Sequence, residues 1–155
     1  MILGQVFSAE KVIINLKSSD KDSVFEEMVS VLTEKTPGLD RLQALDAIKE
    51  RESKMTTGIM HDVAIPHGRC MTADGVSGVI GISKDGIEYG SLDNSPVHYV
   101  FMLMCGIHDA EKHLEVLKSL SAVLQNPDFI KELSQLSSPE KVMELLLKYE
   151  EGTEK

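Results

Sequence analysis

The sequence is poor in the residues that mark several specialised classes of protein. Its 155 residues include no tryptophan and two cysteines, and 16 Lys and Arg stand against 25 Asp and Glu, a net charge of −9. Cys70 and Cys105 are too few for a disulfide scaffold, and their spacing fits no zinc motif. The acidic balance argues against nucleic acid or an anionic membrane surface as the partner.

Long hydrophobic runs are also missing. No apolar run approaches the roughly 20 residues that span a bilayer, and residues 1–11 lack the basic and apolar regions of a secretory signal. We therefore expect a cytoplasmic protein without membrane insertion. At 42% hydrophobic and 26% charged residues, the composition is typical of a globular domain. We predict a single domain over 1–150 and a frayed charged tail over 151–155.

Strand and helix patterns alternate along the chain. The segment 97–105 is apolar on both faces, as in a central strand that helices cover. Asp85-Gly86 predicts a tight turn between two β segments. Strands are predicted over 11–16, 63–65, 79–82 and 97–105, and helices over about 20–36, 40–54 and 109–125, then after Asn126 and Ser138. This order predicts an α/β fold, a three-layer sandwich.

Common motifs of nucleotide, ester and metal chemistry are absent. The chain has no Gly-rich phosphate loop, no G-x-S-x-G and no H-E-x-x-H. His61 lies six residues before His67, and His108 five before His113. Neither spacing aligns two imidazoles on one helix face, so we predict no metal site.

The segment 57–69 holds the most informative histidine. His67 follows Pro66, which ends a strand, and precedes Gly68, which leaves the backbone accessible. Such a histidine suits a nucleophile or proton carrier, because imidazole is partly neutral at pH 7. A loop histidine without a role fits the same pattern.

Arg51, His113 and the cysteines have plain structural interpretations on their own. His113 starts the apolar helical stripe of Leu117, Leu120 and Leu124, which suits a buried histidine. Arg51 has the sign that suits a helix C-terminus. Cys70 and Cys105 are interpreted as small core hydrophobes.

Several motifs together resemble one family. They are Arg51-Glu52, Thr57-Gly58-Ile59 and the run 64–69, Ala-Ile-Pro-His-Gly-Arg, followed by Gly86-Ile87-Glu88-Tyr89, the run 96–101 and the helix that begins at His113. This set resembles the fructose/mannitol-type enzyme IIA domains of the bacterial phosphotransferase system, which include the nitrogen-regulatory IIA proteins. The resemblance covers about the whole chain.

The resemblance implies a phosphoryl carrier with a mixed five-stranded sheet flanked by helices. His67 would accept a phosphoryl group on Nε2 from the phosphocarrier HPr or its nitrogen-branch relative. It would pass the group to a cysteine of an enzyme IIB domain, or hold it as a regulatory mark for protein targets. Arg51 and His113 would stabilise the transferred group, with no cofactor and no metal.

The chain departs from the family at Met60-His61-Asp62, where relatives commonly carry Gly-x-Gly. Glycine adopts positive φ freely and aspartate does not, so we expect an altered loop. Asp62 is expected to bring an anion near the phosphoryl site, which would either slow phosphorylation or change the choice of partner. His61 could take a supporting role behind the site.

Three functions remain open from the sequence. A sugar-transport IIA and a regulatory IIA would use the same residues, so the site does not separate them. The single compact IIA unit favours regulation. An unrelated α/β binding module with an inert histidine is disfavoured by the set of Arg51, His67 and His113.

Overall fold

A computed structural model describes residues 1–154 and shows a mixed sheet with helices on both faces. Among the described helices, none is both long and apolar enough to cross a membrane. The elements in chain order are α1 (Leu3–Val6), a 3₁₀ turn (Ala9–Lys11), β1 (Val12–Ile13), α2 (Lys21–Glu34), α3 (Arg41–Lys54), β2 (Val63–Ala64), β3 (His67–Cys70), β4 (Val76–Ile87), β5 (Val97–Gly106), α4 (Ala110–Leu124), α5 (Pro127–Leu133) and α6 (Pro139–Thr153).

Strand β5 lies at the centre of the five-stranded sheet. One edge of β5 pairs antiparallel with β4, which in turn pairs parallel with β1. The other edge pairs parallel with β2 and then with β3, so two short strands share it. In the second pairing His67 lies opposite Leu103 and Arg69 opposite Cys105. This register decides where the functional residues point.

The side chains of β5 alternate between two separate cores. Both cores consist of buried aliphatic, aromatic and sulfur-containing side chains, because helices cover each face of the sheet. Phe101, Leu103 and Cys105 join the core beneath α4, α5 and α6, while Val100, Met102 and Met104 join the core beneath α2 and α3. The predicted three-layer α/β sandwich is confirmed.

Polar side chains cap four of the described helices, α2, α3, α5 and α6. The carboxylates of Asp20 and Asp40 accept the backbone N–H groups of Ser23 and Gln43, both at 2.9 Å. Asn126 and Ser138 cap α5 and α6 in the same way, each followed by a proline in the first turn. Such caps satisfy N–H groups that have no partner within the helix.

Several local features differ from the prediction. Strand β3 lies where the residue patterns predicted no strand, and β4 is longer than the predicted strand 79–82. Helix α1 is not foreseen, and β1 is shorter than the predicted strand 11–16. Asp85-Gly86 does not reverse the chain, because β4 continues through a register irregularity between Ile82 and Ile87 in which Gly86 takes a φ of 91°. The irregularity accommodates the positive φ there without a hairpin. Helix α6 runs to Thr153, into the segment expected to fray, and Lys155 lies outside the described residues.

Helix α3 packs directly on the backbone of β3 at Gly68. A Cβ atom at Gly68 would lie 2.9 Å from the carbonyl carbon of Ala47 and 3.0 Å from its Cβ. Backbone atoms cannot move aside as a flexible side chain can, so only glycine allows this contact. Because Arg51 is one turn further along α3, Gly68 also sets the position of that guanidinium.

We expect Gly68→Ala to destabilise the protein by roughly 1–3 kcal/mol, because the new methyl group pushes α3 away from β3. Urea unfolding measures the change. Gly152→Ala is the matched control, since nothing lies within 4 Å of a Cβ at that position. Equal stability of the Gly68 variant and the wild type would contradict the close packing.

Candidate functional site

Three elements bring the predicted site residues together. Arg51 comes from the last turn of α3, His67 from the start of β3 and His113 from the first turn of α4. All three line an open cavity of about 460 Å³, which we call the polar cavity. Residues 51, 67 and 113, far apart in sequence, thus share one surface.

A second depression lies on the other side of His67. Its volume is about 390 Å³, and Arg51, His67 and Leu117 line both depressions. We call it the apolar cavity because its remaining lining is mainly apolar, with Met55, Ile59, Met60 and Ile65. His67 therefore lies on the ridge between a polar and an apolar recess.

The strand register turns His67 towards α4. Paired residues on neighbouring strands point to the same face of a sheet. Leu103, the partner of His67, belongs to the core beneath α4. The imidazoles of His67 and His113 meet edge to face, with ring centroids 5.3 Å apart and planes at 77°.

A backbone carbonyl fixes the tautomer of His67. Its Nδ1 lies 2.8 Å from the carbonyl oxygen of Ile65. A carbonyl oxygen only accepts, so Nδ1 carries the hydrogen and donates it. In the neutral ring Nε2 then holds the free lone pair.

Burial favours that neutral ring. Burial lowers the pKa of His67 below its usual value, and the positive charge of Arg51 lowers it further, while the bond to Ile65 opposes both effects. The lowered pKa therefore favours the uncharged imidazole at neutral pH, which leaves a lone pair on Nε2.

A buried carboxylate supports His67 from behind, and sequence reasoning missed it. Glu52 accepts the backbone N–H of Thr57 at 2.8 Å and its hydroxyl at 2.6 Å. The carbonyl of Thr57 accepts the N–H of Ile65 at 3.3 Å. Hydrogen bonds thus run without a gap from Glu52 through Thr57 and Ile65 to His67.

Two further groups hold the Glu52 carboxylate in place. Lys21 Nζ lies 3.2 Å from it, and the Tyr89 hydroxyl donates to it at 3.1 Å. The sequence does contain a signal for this residue. A glutamate in the last turn of a helix opposes the macrodipole, so it needs compensating partners elsewhere.

Arg51 both caps its helix and lines the site. Its Nη1 donates to the carbonyl of Met55 at 2.9 Å, just beyond the end of α3. Lys54 and Arg69 add two more cations to the polar cavity, against the one carboxylate of Glu50. A chain of net charge −9 therefore presents a locally positive recess.

His113 is buried and neutral. Only 4% of its surface is exposed, and burial lowers its pKa to about 4, helped by His67 and Arg69. Its Nδ1 lies 3.2 Å from Cys105 Sγ. Nε2 has no hydrogen-bond partner among residues 1–154. Cys70 and Cys105 are both free and buried, which confirms their interpretation as core residues.

The Met60-His61-Asp62 loop does not act on His67 as expected. Asp62 takes the left-handed backbone, with a φ of 71°, and its carboxylate binds His98 Nδ1. The carboxylate lies outside both cavities, so the expectation of an anion beside the phosphoryl site is wrong. His61 also turns away, because its Nδ1 lies 2.9 Å from Asp93 at the surface, a contact that raises the pKa of His61.

The remaining histidine lies at the surface. His108 is exposed in the turn after β5. Within the part of the chain that the structure describes, no three His, Cys, Asp or Glu side chains converge as they would around a metal ion.

The depressed pKa of His113 predicts a pH-dependent stability. The unfolded chain protonates this ring near pH 6.5 and the folded chain only near 4. Acid therefore favours unfolding, and the stabilisation present above about pH 6.5 is lost as the pH falls towards 4.

We expect wild type to lose more free energy of unfolding than His113→Gln between about pH 7.5 and about pH 4.5. His108→Gln is the exposed control. Urea unfolding at several pH values tests this, and equal losses in wild type and His113→Gln would count against a neutral His113.

The family model for "Phosphoenolpyruvate-dependent sugar phosphotransferase system, EIIA 2" matches residues 5–149. The chain belongs to this family. The match confirms the resemblance seen in the sequence, and the mixed five-stranded sheet agrees with it.

Both branches of the family contain relatives of the chain. It is 33% identical over 146 residues to the fructose-specific EIIABC component of Bacillus subtilis, but spans only 23% of that protein. It is 32% identical to the fructose-specific EIIA component of Haloferax volcanii, over 69% of this chain and 70% of that one. It is 24% identical to a nitrogen regulatory protein of Pseudomonas aeruginosa, over 97% of each chain.

Solved structures show the same fold. The nitrogen regulatory protein IIA-Ntr from Neisseria meningitidis superposes with a TM-score of 0.88 at 25% identity, over 94% of this chain and 99% of that one. IIA mannitol from Escherichia coli superposes with a TM-score of 0.73 at 21% identity, over 90% and 98%.

Proposed function

We propose that the chain is a phosphoryl carrier of the phosphotransferase system and that His67 Nε2 is the acceptor atom. The observation that carries the proposal is the hydrogen bond from Nδ1 to the Ile65 carbonyl, at 2.8 Å. It leaves Nε2 as the nucleophilic nitrogen at the edge of a positive cavity. Family membership supports the reaction class.

The proposed step moves one PO₃ unit between two imidazoles. The lone pair of His67 Nε2 attacks the phosphorus of a phosphohistidine on HPr or its nitrogen-branch relative. A new N–P bond forms while the donor's N–P bond breaks, and its electron pair stays on the donor ring. His67 keeps its Nδ1 hydrogen, and the Ile65 carbonyl stabilises the positive charge that the ring acquires.

The surrounding side chains would stabilise the charge of the transferred group. The phosphoryl group carries about two negative charges, and phosphoryl transfer depends mainly on positioning and electrostatic stabilisation. Arg51 offers forked donors for the equatorial oxygens, and His113 Nε2 is a buried nitrogen without a hydrogen-bond partner among the described residues. The scheme uses neither metal nor cofactor.

The site alone does not choose between transport and regulation. A transport IIA would pass the group to a cysteine of a IIB domain, and a regulatory IIA would hold it to control protein targets. Alignment over 97% of a nitrogen regulatory protein supports regulation, and 33% identity to a fructose component supports transport. We favour regulation, in the cytoplasm. Adding IIB domains to the labelled protein tests this choice. Label that moves to a IIB cysteine indicates transport, and label that stays on His67 indicates regulation.

Replacing His67 with alanine should abolish phosphorylation. Wild type, His67→Ala and His61→Ala are each incubated with enzyme I, HPr and ³²P-labelled phosphoenolpyruvate. We expect acid-labile, alkali-stable label on wild type and on the His61 variant, because His61 pairs with Asp93 at the surface. Label that persists on His67→Ala would exclude this residue as the acceptor.

Arg51→Ala should slow phosphorylation on the order of 10²-fold, because the guanidinium would no longer donate hydrogen bonds to the phosphoryl oxygens in the transition state. His113→Ala should also slow it while leaving His67 labelled. Arg41→Ala, at the other end of α3, is the matched control for charge removal. The rates are measured by quenched-flow labelling with HPr as donor. Identical rates in the Arg51 and Arg41 variants would remove Arg51 from the mechanism.

A further inference from the structure

The contact between Cys105 and His113 has no place in the mechanism as described so far. Cys105 lies on β5, the central strand, and is fully buried. Its Sγ lies 3.2 Å from His113 Nδ1. The other ring nitrogen of His113, Nε2, is buried and without a partner among the described residues.

This contact admits two arrangements of hydrogen. Either Nδ1–H donates to the sulfur, and Nε2 keeps a lone pair, or Sγ–H donates to Nδ1, and Nε2 carries the hydrogen. The thiol has a hydrogen to give, because burial raises the pKa of Cys105 and keeps it protonated. Imidazole nitrogen is the better acceptor of the two atoms, since thiol sulfur accepts only weakly.

The surroundings of His113 favour the second arrangement. Its side chain lines the polar cavity together with His67, Arg51 and Arg69, a site suited to an anion, and its Nε2 is buried there without a partner among the described residues. A lone pair at Nε2 would repel phosphoryl oxygens, whereas an N–H would donate to them. Protonation of the whole ring is not available instead, because burial holds the pKa of His113 near 4.

We propose that Cys105 Sγ–H donates to His113 Nδ1 and so holds His113 in the Nε2–H tautomer, which makes it a hydrogen-bond donor to a phosphoryl group on His67. Cys105 is thus a positioning residue that acts through His113. The donation from His113 to a phosphoryl group rests on the proposed function. The hydrogen bond from Cys105 to His113, and the tautomer that it sets, do not depend on that function.

Cys70 provides a matched control for a cysteine substitution. It is the other free and buried cysteine, at the last position of β3 next to Arg69. Its side chain belongs to the core beneath α2 and α3, on the opposite face of the sheet from Cys105. Its Sγ lies 3.7 Å from the hydroxyl of Thr72 and has no part in the polar cavity.

The tautomer can be read directly from the ¹⁵N shifts and two-bond ¹H–¹⁵N couplings of the imidazole in the unphosphorylated protein. We expect Nε2–H for His113 in wild type, in Cys70→Ala and in Cys105→Ser, whose hydroxyl also donates. Cys105→Ala should populate both tautomers, with ¹⁵N shifts between the two limits. An Nδ1–H tautomer in wild type, or unchanged shifts in Cys105→Ala, would overturn the proposal.

Kinetics test the consequence for transfer. We expect Cys105→Ala to slow phosphorylation by HPr roughly threefold to tenfold, less than full donor loss because part of the population keeps Nε2–H. Cys105→Ser should restore the rate, and Cys70→Ala should not change it. A normal rate in Cys105→Ala with an altered tautomer would overturn the link to transfer.

If wild type takes no label on His67, the proposed function fails, and the tautomer data still decide the role of Cys105. If Cys105→Ala does not fold, the wild-type tautomer remains decisive, because Nδ1–H would contradict the proposal.

Discussion

The pairing of β3 with β5 is the constraint on which the site depends. Its register places His67 opposite Leu103 and Arg69 opposite Cys105, so both basic residues face the side of the sheet that α4 covers. A shift by one residue would turn His67 towards α3 and Gly68 towards α4. The missing Cβ of Gly68 would then no longer admit Ala47. One strand register therefore sets where the His67 imidazole lies relative to His113 and to the helix that carries Arg51.

The electrostatics of the site combine neutral imidazoles with nearby permanent cations. Desolvation is the main reason that the pKa values of His67 and His113 are lowered. In the proposed reaction a neutral ring keeps its lone pair, and the positive charge that would stabilise a phosphoryl group comes from guanidinium groups. Because Arg51, Lys54 and Arg69 line this recess, a chain of net charge −9 presents a site suited to an anion.

The sequence predicted the layers of the fold, and it named three residues that line one cavity, but it did not predict their contacts. Asp20, Asn126 and Ser138 are local signals of helix starts, and each caps a helix that begins where predicted. The direction of Asp62 depends on His98, a residue 36 positions away, and no local pattern reveals that. The role of Glu52 likewise depends on Tyr89 and Lys21, which only the folded chain brings to it. Tertiary pairing decides such contacts, so sequence patterns could name candidate residues for the site but not the partners of those residues.

The central claim is that His67 accepts the phosphoryl group on Nε2 while Nδ1 keeps its bond to Ile65. NMR of the ¹⁵N-labelled protein phosphorylated by HPr measures this directly, because phosphorus couples to the nitrogen that carries it. The account predicts ³¹P coupling to Nε2 of His67 and a retained hydrogen bond at Nδ1. Coupling to Nδ1 of His67, or to any nitrogen of another histidine, would contradict it.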